Sequence, residues 1–205
     1  MRTLFVCGLG SRYSYLASTQ LPRLEEVSGR RFEWYPVNSI ALIRAAHGGR
    51  SPFDATTLRG QYDPAYRSRD AARWAEHFGI PYHEPDLGDL TPDDMADACW
   101  LFEEAEARRV MCIALFETIF AEGRRVTRDV VAAIAAGLRP SRGEVFAGPM
   151  AERARASHEQ ALAAALRFGA FGVPTFVVDD QLFWGTDRVP LVERFLLEGR
   201  TTSRR

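Results

Sequence analysis

The stretch Phe168-Gly-Ala-Phe-Gly-Val-Pro-Thr-Phe-Val-Val-Asp-Asp-Gln-Leu-Phe-Trp-Gly-Thr-Asp-Arg188 constrains the fold of this chain more than any other segment. Glycines at 169 and 172 punctuate a helix end and a tight turn. Thr175 to Val178 and Gln181 to Trp184 are short β-prone runs separated by Asp179-Asp180, which reads as an antiparallel hairpin. A helix then opens near Asp187 and runs to Leu197, with Gly199 as its expected end and a frayed polar tail from Thr201 to Arg205. Pro174 lacks an N–H and therefore suits the first position of its strand.

The rest of the chain supplies the partners of that hairpin. Arg2 to Cys7 is a short apolar run expected to form a buried strand, ended by Gly8-Leu-Gly10. Apolar residues at helical spacing predict a helix over Tyr13 to Glu26 with a kink at Pro22. Phe32 to Val37 is strand-like, so the chain opens strand, helix, strand, which favours parallel neighbours in an α/β sheet.

No strand signal follows between about residue 40 and residue 174. Helices are expected over Asn38 to Ala46, Asp63 to Phe78, Thr91 to Glu122, Thr127 to Ala136 and Met150 to Phe168. Asp63-Pro64 is a cap followed by proline at the first helical position, and Gly79 is the stop. The predicted organisation is an α/β domain from residues 1–62 and 166–205, interrupted by an all-helical insertion at 63–165.

Composition excludes several functions. Of 205 residues 46% are hydrophobic, enough for a well-formed core, and the net charge is −1, so no basic field points to nucleic acid or membrane. All 26 basic residues are arginine, which removes any lysine base, Schiff base or phosphate-loop lysine. Cys7, Cys99 and Cys112 have neither zinc nor redox spacing and fit a reducing compartment, so a cytoplasmic location is expected. His47, His77, His83 and His158 lack metal-ligand spacing, so no metal is expected.

The chemistry-bearing candidates are few. If the Val173-Pro174 bond is cis, the Val173 backbone faces outward and can pair with an extended peptide ligand; the bland alternative is a trans proline starting a strand. At Gly185-Thr-Asp-Arg188, N–H groups between strand and helix could take a carboxylate and Thr186 or Asp187 an amine, or Asp187 could be a plain helix cap. Ser11 could stabilise a ligand's thiolate with Arg12 beside it, or simply cap the first helix. It lies in no Gly-x-Ser-x-Gly elbow, so a hydrolase nucleophile is disfavoured. Asp70, Arg73 and Tyr66 read as surface pairing on one helix face. Trp100, Phe102, Phe116 and Phe120 read as core.

Ser11-Arg-Tyr-Ser-Tyr-Leu-Ala17 resembles the Ser-Pro-Tyr-Ser-Tyr-Leu-Ala signature of 2-hydroxychromene-2-carboxylate isomerases and kappa-class glutathione transferases. Arg67-Ser-Arg-Asp70 through Gly79-Ile-Pro81 resembles their Tyr-x-x-x-Asp-x-x-Arg-x-Ala helix, and Leu115 to Gly123 their mid-insertion helix. Phe168 to Arg188 is similar to their Tyr-Gly-Ala-Phe-Gly-Val-Pro-Thr and Phe-Trp-Gly-Gln-Asp-Arg segments. The resemblance spans nearly the whole chain. It implies a thioredoxin-like domain of the DsbA/kappa type with a helical insertion, glutathione as cofactor, a small aromatic or hydrophobic electrophile as substrate, and a homodimer. It assigns the catalytic hydroxyl to Ser11 and cofactor binding to Val173, Pro174, Thr186, Asp187 and Arg188. Arg12, Tyr13 and Arg50 are the candidates for the second substrate. The expected reaction is reversible thiolate addition to a conjugated aromatic keto acid; the alternatives are kappa-type conjugation and a thiol-ligand binding protein without catalysis. Disulfide exchange fits least, because no Cys-x-x-Cys follows the first strand. The chain departs from the signature at Arg12 (proline there), Gly8 (aspartate there) and Gly49 (asparagine there).

Overall fold

A computed structural model describes residues 2–138 and 145–202. Four strands, β1 (Thr3–Cys7), β2 (Glu33–Pro36), β3 (Thr175–Val178) and β4 (Gln181–Trp184), form one sheet in the order β2-β1-β3-β4. β1 pairs in parallel with β2, placing Phe5 opposite Trp34, and antiparallel with β3, placing Phe5 opposite Phe176. The opening strand-helix-strand unit and the closing hairpin therefore meet on β1. All five residues of β1 are buried, as its unbroken apolar run requires of a central strand covered on both faces. Phe5 lies 5.1 Å from the Trp34 ring and 5.4 Å from Phe176, and all three are fully buried.

The first helical segment is two helices, α1 (Arg12–Ser18) and α2 (Leu21–Ser28), rather than one kinked helix. Pro22 has no N–H and its ring would strike the carbonyl one turn back, so the chain breaks and places Pro22 in the first turn of α2. The Ser18 and Thr19 hydroxyls donate back to Tyr15 O (2.7 Å) and Leu16 O (2.8 Å) of the last turn of α1. Next, α3 (Ser39–Ala46) is capped by Asn38, whose side chain accepts from Ile40 N and Ala41 N.

Helices fill the chain between α3 and β3, with no strand among the described residues there. They are α4 (Pro64–Phe78), α5 (Pro92–Trp100), α6 (Ala105–Phe116), a π-helical turn (Glu117–Ala121), α7 (Arg128–Leu138) and α8 (Gly148–Arg167). α4 is bounded as its sequence signals predict, with Asp63 accepting from Tyr66 N at 2.8 Å and Gly79 left-handed at φ 66°. The long helix expected over Thr91 to Glu122 is broken at residues 101–104. Buried Arg108 holds the break: its guanidinium donates to Phe102 O (3.2 Å), Glu103 O (3.1 Å) and Trp34 O (3.3 Å). The same guanidinium reaches back to the carbonyls at the break and across to Trp34 of β2, 74 residues away, a contact that no local pattern signals.

Asp179, at φ 54°, turns the hairpin and pairs with Arg30 at 2.8 Å. The last helix, α9 (Val189–Thr202), runs through Gly199. A helical glycine costs only about 1 kcal/mol relative to alanine and does not end a helix alone. Of the tail predicted to fray, Thr201 and Thr202 belong to α9 and residues 203–205 lie outside the described chain.

The sheet and the helical block share one core. Phe116 of α6 sits 6.3 Å from the Trp34 ring and 6.2 Å from Tyr15, while Tyr15 stacks on Phe120 at 5.0 Å. Phe116 and Phe120 are core, as their spacing predicts; Phe102 is buried too, while Trp100 is half-buried and donates to Pro36 O at 2.8 Å. None of the described helices is long and apolar enough to cross a membrane.

Candidate functional site

Ser11 stands where β1 hands over to α1. Its N–H donates to Gly8 O (2.9 Å), and its backbone is extended at φ −92°, ψ 114°. Oγ accepts from Ser14 N at 3.3 Å, so Ser11 does cap α1. That bond uses a lone pair. The hydroxyl hydrogen has no acceptor among the described residues and is free to donate. The cap role and the anion-donor role therefore coexist in one half-buried side chain. Ser14, fully buried, accepts from Gly8 N (3.2 Å) and fixes the turn from within.

The Val173-Pro174 peptide bond is cis. Pro174 O accepts from Gly185 N at 3.0 Å and Gly172 O from the Thr175 hydroxyl at 2.8 Å, so both flanks are held. The Val173 N–H and C=O carry no hydrogen bond among the described residues, and Val173 is half-buried. This is an available donor–acceptor pair just ahead of β3, of the kind an extended peptide ligand matches. A Cβ on Gly172 would lie 2.7 Å from Trp184 Nε1, so only glycine admits the Trp184 ring against this turn.

Gly8 joins the two segments. A Cβ there would lie 3.0 Å from Ser39 Cβ and 3.4 Å from Val173 Cγ2. The space taken by aspartate in the resembling signature is filled here by the first residue of α3 and by Val173. Gly8→Asp is expected to destabilise the fold by about 1–3 kcal/mol through overpacking. Thermal denaturation of the variant beside wild type checks this, and an unchanged midpoint would contradict the packing described.

The third segment follows β4. Gly185, at φ 110°, holds a backbone conformation that a side chain would strain, and a Cβ there would clash with Asp187 Oδ1. Thr186 is buried and its hydroxyl donates to Tyr13 O at 2.8 Å, tying this turn to α1. Asp187 forms no capping bond; its exposed carboxylate pairs with Arg188 at 2.6 Å. Ser11, Val173, Pro174, Thr186, Asp187 and Arg188, spread over 178 positions of sequence, are thus brought together by β1, β3 and β4.

Arg12 donates from Nη2 to Glu84 at 2.7 Å, while its Nε is buried with no partner. The Tyr13 hydroxyl donates to Asp70 at 2.8 Å; burial first, and then this bond, push the phenol well up, so Tyr13 stays protonated. Asp70 is therefore engaged with α1 rather than in the surface pairing expected of it. Arg50 lies exposed after α3, its backbone N–H on His47 O at 3.4 Å, and no contact joins it to Ser11.

Two groupings carry no sequence signal. Cys7, Cys99 and Cys112 come from β1, α5 and α6 to a single buried cluster, each with no exposed surface. Burial pushes the Cys7 and Cys99 thiols well up, and both S–H groups point to Cys112. Burial also raises Cys112, while those two bonds and Arg108 oppose it, so a negative charge is least unfavourable there. None of the three thiols reaches the site surface. His158, also buried, has Nδ1 at 2.8 Å from Asp97 and accepts from Asn38 N on Nε2 at 3.0 Å, pinning α8 and α5 to the start of α3. No group of three metal-ligating side chains occurs among the described residues. A cavity of about 320 Å³ opens between Trp100, Glu104, Met150 and Arg153, but none of its lining residues belongs to the site above.

The chain is similar over most of its length to known proteins. Relatives named 2-hydroxychromene-2-carboxylate isomerase include one from Sphingobium xenophagum, 26% identical over 200 residues and covering 92% of this chain and 94% of that protein. Another from Pseudomonas putida is 26% identical over 187 residues, covering 89% and 88%. A solved 2-hydroxychromene-2-carboxylate isomerase superposes with a TM-score of 0.78 at 22% identity, covering 100% of this chain and 97% of that one. The cytosolic disulfide reductase DsbM from Pseudomonas aeruginosa, solved with GSH, superposes with a TM-score of 0.65 at 18% identity over the full length of both chains. The likeness to these solved structures is one of fold. The family model of the DSBA-like thioredoxin domain matches residues 5–197, from within β1 to within α9 and including all the site segments, and the chain belongs to that family.

Proposed function

We propose that this protein is a glutathione-dependent isomerase of the 2-hydroxychromene-2-carboxylate isomerase type, acting on an aromatic conjugated keto acid. One observation carries the reading. Where the site segments meet, the chain offers a serine O–H free to donate beside the unpaired Val173 peptide groups, while all three of its cysteines are sealed in the core. A site built to hold sulfur that owns no accessible sulfur needs it from a ligand. The names of the curated relatives support the same reaction class.

The residues fit a small thiol-bearing peptide. Val173 N–H and C=O match an extended peptide backbone, and the exposed Asp187 carboxylate matches an ammonium group. When bound, glutathione supplies a thiolate that adds reversibly to a conjugated carbon. The chain's own part is electrostatic and positional. Ser11 donates its hydroxyl hydrogen to negative charge at the sulfur position, and the Arg12 guanidinium beside it adds positive charge. Thr186, by holding Tyr13 O, keeps the 185–188 turn in register with Ser11. The reading also takes the protein as a cytoplasmic homodimer.

The test uses protein stripped of small thiols by gel filtration and an arylidene pyruvate as the conjugated keto acid. No isomerisation is expected until glutathione is added, and no thioether should accumulate afterwards. Turnover in the complete absence of a low-molecular-weight thiol would overturn the reading. Accumulation of a stable thioether would replace isomerisation with conjugation.

A further inference from the structure

We propose that Arg12 and Arg67 form a two-arginine carboxylate subsite beside Ser11, and that Arg67 sets the preference for electrophiles carrying an anionic group on an aryl-conjugated chain. This rests on the isomerase-type reading above and specifies how the second substrate is held. Neither residue is set by the resembling motifs: Arg12 stands where that signature has proline, and Arg67 falls on an unspecified position of the α4 pattern.

Three observations point to an anion. The first is Arg12 itself, whose side chain is 15% exposed with one nitrogen on Glu84 and a buried Nε that has no acceptor. A buried guanidinium donor left unpaired is costly, and an acceptor supplied by a ligand would offset that cost. The second is Arg67. Its guanidinium is half-buried, lying 4.9 Å over the Phe53 ring and 5.9 Å over Tyr13, and it forms no side-chain hydrogen bond or ion pair among the described residues. The third is their proximity. The Arg67 guanidinium lies 5.9 Å over the ring of Tyr13, the residue that follows Arg12, and burial, then the charge of Arg12, pull it down from its ordinary value.

The surrounding groups do not neutralise the pair. Glu84 is divided between Arg12 and the Tyr82 hydroxyl (2.5 Å), and Asp70, on the same helix as Arg67, is taken by the Tyr13 hydroxyl. Two partly desolvated like charges, of which only Arg12 is paired with a carboxylate, favour a further anion. A carboxylate suits them, because its oxygens can accept from two guanidinium groups at once. The rings around Arg67 choose the rest of the ligand. Tyr13 and Phe53 flank the guanidinium, and Tyr62 lies 5.5 Å from Phe53, giving aromatic surface to an aryl group. Arg12 follows Ser11 directly, so a carboxylate held here lies on the same side as the proposed sulfur position.

The experiment compares cinnamate with benzylideneacetone, two aryl-conjugated ligands of which only the first is charged. Binding is measured by titration calorimetry without glutathione, in wild type, Arg67→Gln and Arg67→Lys. Wild type is expected to prefer cinnamate, and Arg67→Gln to reduce that preference about tenfold, with Arg67→Lys between them. The ratio cancels any general loss of folded protein. An unchanged ratio in Arg67→Gln overturns the proposal, as does sulfate binding as tightly as cinnamate, which would mark a general anion cluster without aryl selection. With glutathione present, the ratio of kcat/KM for benzylidenepyruvate to that for benzylideneacetone should fall by the same factor. If binding discriminates but neither ketone turns over, the subsite stands and the isomerase reading fails.

Discussion

Ser11→Ala is expected to lower glutathione-dependent isomerisation roughly 100-fold, while glutathione affinity changes little. Ser11 Oγ has two uses that a substitution can separate. As a lone-pair acceptor from Ser14 N it caps α1, worth about 1 kcal/mol. As a donor it faces the site with its hydrogen unspent. Alanine removes both; Ser11→Asp keeps an acceptor for the cap but places negative charge where an anion is to be held. The expected order is therefore opposite in two assays. Thermal stability should rank wild type and Ser11→Asp above Ser11→Ala, and activity should rank Ser11→Ala above Ser11→Asp. If Ser11→Ala turns over like wild type, the hydroxyl is only a cap and the proposed site chemistry is wrong.

The largest stability effect is expected at the ion pair between Arg109 of α6 and Glu25 of α2. Arg109 Nη1 lies 2.8 Å from both Glu25 oxygens, and both residues are buried. Glu25 also accepts from Phe32 N at 2.9 Å and from Arg31 at 3.2 Å. Arg109→Met leaves a carboxylate buried with its main partner gone, which costs about 3 kcal/mol, the lower end of the usual range because Arg31 remains. For a chain of this size that corresponds to a fall in Tm of roughly 10 °C. The double variant Glu25→Met/Arg109→Met should recover much of the loss, leaving chiefly the Phe32 N–H without its acceptor, at about 1–3 kcal/mol. A double variant no more stable than Arg109→Met would show that the pair itself, rather than the stranded charge, holds α2 against α6.

Much of the fold was legible because its signals are local. Asp63-Pro64 and Gly79 bound α4, Asp179-Asp180 turns the hairpin, and the apolar run of β1 marks a central strand; each acts within a few residues of itself. The errors lie where a distant group decides. Arg108 stabilises the break between α5 and α6 by reaching carbonyls it does not neighbour in helical register. Asp70 looked like a surface residue because its own helix does not show that the Tyr13 hydroxyl arrives from α1. Pro22 breaks the helix where a kink is expected, a local effect, and the Ser18 and Thr19 hydroxyls turn back on carbonyls of the last turn of α1.

The candidate site divides in the same way. By itself the sequence determined the residue types at each segment: a serine with no Cys-x-x-Cys beside it, a Val-Pro before a strand, a Gly-Thr-Asp-Arg after one, and no lysine anywhere. It also determined where the chain must turn, since glycine and proline act through their own backbone. Only the tertiary structure decided which of these segments share a surface. It set Val173 against Gly8, tied Thr186 to Tyr13, and gathered three widely spaced cysteines into the core away from solvent. Backbone preference is short-ranged and written residue by residue, whereas contact between segments is set by sheet register and by what fills the space between them.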